Sequence, residues 1–202
     1  MVVTRRLASV CVFCGSSDDV AREYLEAARQ IGDAIARRGT TLVYGGGGTG
    51  LMGALANGAL ESGGRVIGVL TEQFDTPVLR HPNLSERRVV PTMHERKALM
   101  SDLSEGFVAL PGGFGTFEEL FEILCWAQLG IHARPIGLLN TRSYFGPLLA
   151  MIEHARAEGF IYNEHNGLYF SDPDPDALLD RMGEYQAPAG LDRWLSRDGG
   201  EG

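Results

Sequence analysis

Lysine is almost missing from this chain of 202 residues: Lys97 is the one lysine among 18 basic side chains, and all the others are arginine. Cysteine is scarce as well, and an odd count of three does not make a disulfide framework in a chain of this size. No apolar run approaches the roughly 20 residues that a membrane-crossing helix needs. The opening MVVTRRLASVCVFCG sets two arginines before an apolar stretch, as a signal peptide does. That stretch is short and β-branched and ends in Cys-Gly-Ser-Ser, so it reads as the first strand of a cytoplasmic protein without membrane contact. A basic excess is lacking too. The net charge of −8 excludes a general nucleic-acid-binding surface, yet a few arginines suffice to hold one phosphate.

What is present is ordinary for a globular enzyme, with 44% hydrophobic and 22% charged residues and a length that suits one domain with a sizeable core. Apolar β-rich runs alternate with helix-period segments. Strands are expected at 9–14, Thr41–Tyr44, 65–70, 88–90, 107–110, Ile136–Leu139 and 168–170. Helices are expected at 20–38 (stopped by Gly39), 51–62, 93–103, 117–129, 144–158 and 177–182. This alternation predicts an α/β fold, a Rossmann-like, doubly wound parallel sheet flanked by helices in a single domain. The domain is expected to span 1–186, with 187–202 as a polar C-terminal tail. Cys11 and Cys14 form a CxxC, but residues i and i+3 of a strand face opposite ways, so these thiols diverge rather than chelate or pair. Cys125 lies in an apolar helix and is expected in the core.

Two glycine-rich turns each follow a strand and open a helix: GGGGTG at 45–50 and PGGFGT at 111–116. Such a turn lets backbone N–H groups approach an anion at the positive end of a helix. Gly15-Ser16-Ser17 makes a third small polar turn at a strand end. Three such turns in one sheet point to phosphate or nucleotide binding beyond the carboxyl ends of the strands. Neither loop ends in GK[ST], which excludes a Walker P-loop. Glu72, after the third strand, keeps a dinucleotide fingerprint as a minor rival.

Thr92–Glu95 and Thr116–Glu119 both match a capping box, threonine followed three residues on by glutamate. For Glu95 capping is sufficient. Glu119 is different, because at 100° per residue it leaves the polar stripe of Glu118 and Glu122 for a flank with Ile123 and Trp126, while Phe117, Leu120, Phe121 and Leu124 share an apolar face. A carboxylate on a partly apolar flank beside a phosphate loop suits chemistry, and spacing alone leaves capping and catalysis level. The helix is apolar around much of its circumference, which also suits packing against a second subunit. Arg96 shares the face of Leu99, Met100 and Leu103, and a buried guanidinium needs an anion, whether an internal carboxylate or a substrate.

MHERK at 93–97 with PGGFGTFEE at 111–119, FCGSS at 13–17, GGGGTGLMG at 45–53 and WAQLGIH at 126–132 resemble the Lonely Guy family of cytokinin-activating phosphoribohydrolases, long labelled lysine decarboxylases. The resemblance runs from Ser9 to about Phe170. It implies a Rossmann-like homodimer or higher homo-oligomer with sites near the subunit interface. It also implies release of a free base from an adenosine 5′-monophosphate, with or without an N6 side chain, leaving ribose 5-phosphate, and no metal or organic cofactor. Arg96 and Glu119 match the family's catalytic pair. Gly112, Gly113, Gly115 and Thr116 match its phosphate cradle, and Lys97 and Glu118 further nucleotide contacts. Met93, Gly46, Gly47, Ser16 and Ser17 complete the expected substrate-binding set. The family often carries a glutamate near the position of Val78-Leu79, for which this chain offers only Asp75 or Glu86. Two other readings compete: a pyridoxal-phosphate enzyme, whose one candidate Schiff-base lysine is Lys97, and a non-catalytic carrier of a nucleotide or phosphorylated cofactor, which has no evident need of an Arg96–Glu119 pair.

Overall fold

The computed structural model describes residues 5–191. Its elements alternate along the chain: β1 (Ser9–Phe13), α1 (Arg22–Arg37), β2 (Thr41–Tyr44), α2 (Gly50–Glu61), β3 (Val66–Thr71), β4 (Glu86–Val90), α3 (Met93–Asp102), β5 (Phe107–Ala109), α4 (Phe114–Gln128), β6 (Ile136–Leu139), α5 (Gly146–Ala157), β7 (Phe170–Asp172) and α6 (Pro175–Glu184). The seven strands form one sheet in the order β4-β3-β2-β1-β5-β6-β7, and every neighbouring pair is parallel. The order reverses between β1 and β5, whose registers place Phe13 opposite Ala109. That switch point leaves a crevice beyond the carboxyl ends of β1, β2 and β5, where the glycine turns lie.

Each face of the sheet has its own core. On one, α1, α2 and α6 cover Val10, Val12, Leu42, Tyr44 and Val108; on the other, α3, α4 and α5 cover Cys11, Val43, Val69, Phe107 and Leu138. Cys11 and Cys14 fall in different cores, as the strand period requires. The helix α1 buries Ala27, Ala28, Ile31, Ala34 and Ile35 at helical spacing and ends as expected at Gly39. Gly39 has φ +61° and donates to Ala36 O while Thr40 N–H reaches Ile35 O, which closes the last turn on two orphan carbonyls. Against α1 lies α2 at backbone contact: a Cβ on Gly32 would sit 2.1 Å from Leu55 O, and one on Gly58 would sit 2.1 Å from Arg29 O.

The differences from the sequence reading lie at the edges and ends. The edge strand β4 begins at Glu86, two residues early, because ERRVV keeps only one side on the fold and shows its arginines to solvent. The last strand is Phe170–Asp172, and Leu168 is buried below a short 3-10 turn, Asn163–Gly167. The helix α6 begins at Pro175 because the Asp174 side chain accepts from Ala177 N–H, an N-cap signal stronger than the apolar periodicity that placed its start at 177. Of the segment 187–202 read as a tail, 192–202 lie outside the described residues, and Leu191 is buried in the second core.

Candidate active site

A cavity of about 470 Å³ opens at the switch point. Its walls come from the turn after β1 (Cys14, Gly15, Ser16), the turn after β2 (Gly45, Gly47, Thr49), α3 (Met93, Arg96) and the start of α4 (Gly113 to Thr116, Glu119). Met52, Leu70, Phe74 and Leu79 add apolar lining. Eight of the expected site residues therefore meet in one place: Ser16, Gly47, Met93, Arg96, Gly113, Gly115, Thr116 and Glu119. Ser17, Gly46, Gly112, Lys97 and Glu118 do not line it. Gly112 lies directly behind the lining, its carbonyl accepting from the Tyr144 hydroxyl. Gly46, with φ +76°, packs beneath Leu70.

The two glycine turns are not equivalent. At the start of α2 the free N–H groups are already used. Gly50 donates to Asp18 Oδ1 at 2.7 Å, and Leu51 and Met52 donate to Gly15 O at 3.1 and 3.3 Å. At the start of α4 the first bond into the helix is Phe117 N–H to Gly113 O at 3.0 Å, and no side chain caps the turn. The amides of Phe114, Gly115 and Thr116 thus face the cavity at the positive end of a helix, with no acidic residue in that turn. Such a helix end suits an anion. The 45–50 turn, which brings its own carboxylate through Asp18, shapes the wall.

The pair of threonine–glutamate boxes also separates. Thr92 caps α3, its Oγ1 accepting from Glu95 N–H at 3.2 Å. Thr116 caps nothing, because α4 starts at Phe114 and both Thr116 and Glu119 lie inside the helix, buried. The buried side of α4 is Thr116, Glu119, Leu120, Ile123 and Ala127. The expected apolar face is corrected accordingly. Of Phe117, Leu120, Phe121 and Leu124 only Leu120 is fully buried, Phe121 is exposed, and Cys125, expected in the core, is exposed beside it. The physical reason is that the helix turns Glu119 and Ile123 inward, which rotates Phe121 and Cys125 outward.

Glu119 is 7% exposed, and its Oε1 lies 3.4 Å from Arg96 Nη1. Arg96 is equally buried, its anion need met by an internal carboxylate, and it is held on all sides. Its Nε donates to Val69 O at 2.9 Å, Nη2 to Gly45 O at 3.3 Å, and Nη1 lies 3.3 Å from Met93 Sδ. Gly45 must be glycine for this, since a Cβ would stand 2.1 Å from Nη2. Burial pushes the Glu119 carboxyl up to about 7; Arg96 opposes that rise, Glu118 adds to it, Lys97 opposes and Glu122 adds. Cys14 also lines the cavity, but burial, with the Glu119 charge adding, pushes its thiol far above neutrality and keeps it protonated.

Lys97 is buried on the neighbouring side of α3. Its Nζ is bonded to Glu118 and, at 3.0 Å, to Glu122. Burial works against its charge, but the bonds to Glu118 and Glu122 outweigh that and hold its pKa above the usual lysine value. Asp75 and Glu86, the candidates for the missing loop glutamate, are both committed to arginines, Asp75 to Arg80 and Arg87, Glu86 to Arg65 and Arg88. Glu72 is exposed and does not line the cavity. Sequence reading missed the apolar side, Met52, Leu70, Phe74 and Leu79, because single apolar residues in three different segments carry no local pattern.

A family model described as "Possible lysine decarboxylase" matches residues 52–182. The chain is 53% identical over 154 residues to the cytokinin riboside 5′-monophosphate phosphoribohydrolase of Rhodococcoides fascians, covering 76% of this chain and 78% of that one. It is 47% identical over 180 residues to "Probable cytokinin riboside 5′-monophosphate phosphoribohydrolase LOGL9" of Oryza sativa subsp. japonica, covering 89% and 79%. Among solved structures, the molybdenum cofactor carrier protein of Chlamydomonas reinhardtii superposes with a TM-score of 0.66 at 24% identity, over 87% of this chain and 96% of that one. The molybdenum cofactor binding protein of Rippkaea orientalis gives 0.65 at 20%, over 88% and 96%. At those identities the likeness is one of fold. Pyridoxal phosphate, which a decarboxylase would use, does not fit these residues. The only lysine is clamped between two carboxylates, held protonated and absent from the cavity lining.

Proposed function

The chain belongs to the Lonely Guy family, and on that premise we propose that it hydrolyses the N-glycosidic bond of adenosine 5′-monophosphates, with or without an N6 substituent, to free base and ribose 5-phosphate. The observation that carries this reading is the buried Arg96–Glu119 pair set beside an uncapped helix N-terminus in one cavity. The phosphate sits on the Phe114, Gly115 and Thr116 amides, where the helix dipole and three unused donors meet its charge. The base lies on the apolar side formed by Met52, Leu70, Phe74 and Leu79. The ribose C1′ then comes to Glu119.

As the bond to C1′ breaks, its electron pair leaves with the base and positive charge grows on the ribose. An ionised Glu119 stabilises that charge and accepts a proton from the water that adds to C1′, then releases it to solvent, from which the departing base takes up one proton. Arg96, held by two carbonyls, aims the carboxylate and favours its ionised form. Because phosphate binding supplies orientation, a nucleoside without phosphate is a poor substrate. With Glu119 titrating near 7, kcat/KM falls as pH drops through that value.

The chain works as a homodimer or larger homo-oligomer. Supporting this is a belt of exposed apolar side chains on the outer side of α4, on α5 and just beyond, with Phe121, Ile131, Met151 and Phe160 each more than 40% exposed. Sedimentation at micromolar concentration should give at least twice the chain mass, and a monomer would remove the assembly reading. Among the described residues no helix is long and apolar enough to cross a membrane, and a phosphorylated substrate with unpaired thiols on the protein fits a cytoplasmic setting. The test of function is chromatography after incubation with AMP, N6-isopentenyl-AMP and the two corresponding nucleosides. Base released from the monophosphates alone supports the reading. Tight nucleotide binding without base from any of them would make the protein a carrier.

A further inference from the structure

The family resemblance makes Lys97 and Glu118 nucleotide contacts, yet they face each other and not the cavity. Consecutive residues of α3, Arg96 and Lys97, meet α4 in two adjoining rungs: Arg96 to Glu119, and Lys97 to Glu118 and Glu122. Within little more than one turn α4 thus carries three carboxylates, one buried in the cavity wall and two beside it. Like charges so spaced repel, and the outer two disfavour ionisation of Glu119. Lys97 is the cation that answers the outer two.

We propose that Lys97 is a positioning residue: it takes up the charge of Glu118 and Glu122 and ties α3 to α4, so that Glu119 meets the ribose ionised and aimed. This deepens the hydrolase reading and rests on it. A compact ammonium with three rotatable donors serves the two carboxylates, one turn apart on α4, from a buried position. The Lys97 side chain is 7% exposed, against 25% for Glu122 and 56% for Glu118, so the cation is shielded from solvent while the carboxylates turn outward. The groups that act on Glu119 are Arg96 and Lys97 from α3, Glu118 and Glu122 from its own helix, and the thiols of Cys11 from β1 and Cys14 from the turn after it, which burial keeps neutral.

The test follows the Glu119 carboxyl by 13C NMR in glutamate-labelled protein, assigned with Glu119→Gln, together with the pH profile of kcat/KM for AMP. Lys97→Met should raise the titration of Glu119 and the acidic limb of the profile together by about half a pH unit or more, with KM at pH 8.5 within about twofold of the parent. Glu122→Gln should move both the other way. The double variant Lys97→Met/Glu122→Gln restores the local charge sum and should return both toward the parent, which also covers the case of Lys97→Met alone failing to fold. The substrate phosphate is the same in every variant, so its own ionisation cannot produce these shifts. A tenfold rise in KM for Lys97→Met with the Glu119 titration unmoved would overturn the proposal and make Lys97 a nucleotide contact. The NMR titration needs no turnover. A chain that releases no base yet shows the three shifts loses the hydrolase reading alone, and one that releases base without them loses only the clamp.

Discussion

The two faces of the sheet solve different problems with similar raw material. Under α1, α2 and α6 the buried side chains are mostly alanine, leucine, isoleucine and valine, and two glycines let helix backbones touch. The charged groups of that face stay at the rim, where Arg29–Glu61 and Arg37–Asp176 are about half exposed and add little. Under α3, α4 and α5 the core buries Arg96, Lys97, Glu119 and His132, and it leaves Phe121, Met151 and Phe160 outside. Even its structural polar groups are elaborate. Arg134 donates to Ser101 O and Ser104 O at the end of α3 while stacking on Phe107, and His132, pushed down to about 4 by burial and by Arg134, stays neutral against Ile123 O. One face holds the molecule together. The other places charge where folding alone would not choose it, as active sites do.

The sharpest break of that contrast is Glu119→Gln. It should cut kcat on AMP by about a thousandfold, the scale of losing a principal electrostatic stabiliser. It should do so without loss of stability, since glutamine still offers Arg96 an acceptor. The sign of its pH dependence is distinctive. A carboxyl whose folded pKa is raised to about 7 contributes stability below the ordinary carboxylate range and loses it as pH climbs through 7. Thermal melts of the variant should therefore gain on the parent between pH 5 and 8.5. Turnover within tenfold of the parent would remove Glu119 from the chemistry.

On the other face the corresponding break is Gly32→Val. With Leu55 O 2.1 Å from where the Cβ must go, α1 and α2 have to separate, at a cost of about 3 kcal/mol. Denaturant titration should show the loss, and kcat per folded molecule should stay within about twofold, because nothing from α1 lines the cavity. An unchanged midpoint would mean that the two helices are not in backbone contact.

The legibility of the sequence divides along the same line. Continuous apolar runs and helix periods carry the parallel sheet, and Gly39 marks the end of α1, because those signals are local and repeated. The site is legible only where spacing is tied to backbone chemistry, as in PGGFGT leading to Glu119. What escaped is what depends on three-dimensional neighbours. Two identical threonine–glutamate spacings differ because one helix begins after its threonine and the other before it. Cys125 looks like core until the inward turn of Glu119 rotates it out. GGGGTG looks like a second phosphate cradle until Asp18, from another loop, occupies its helix end.

A glycine on the active face gives the gentlest and most specific test of the difference. A Cβ at Gly32 would meet backbone, whereas one at Gly113 or Gly115 would meet no atom within 4 Å. Packing therefore does not require glycine at 115, and neither does conformation, since its φ is not positive and it lies in the first turn of α4. Helix propensity favours alanine there by about 1 kcal/mol, so Gly115→Ala should be as stable as the parent or more so. Its methyl group would stand in the open space beside the amides assigned to phosphate. KM for AMP should rise about tenfold with kcat little changed, the mark of lost binding common to ground and transition states. If instead stability fell and KM held, the open space at Gly115 would belong to the fold, and the phosphate would have to be sought at the 45–50 turn.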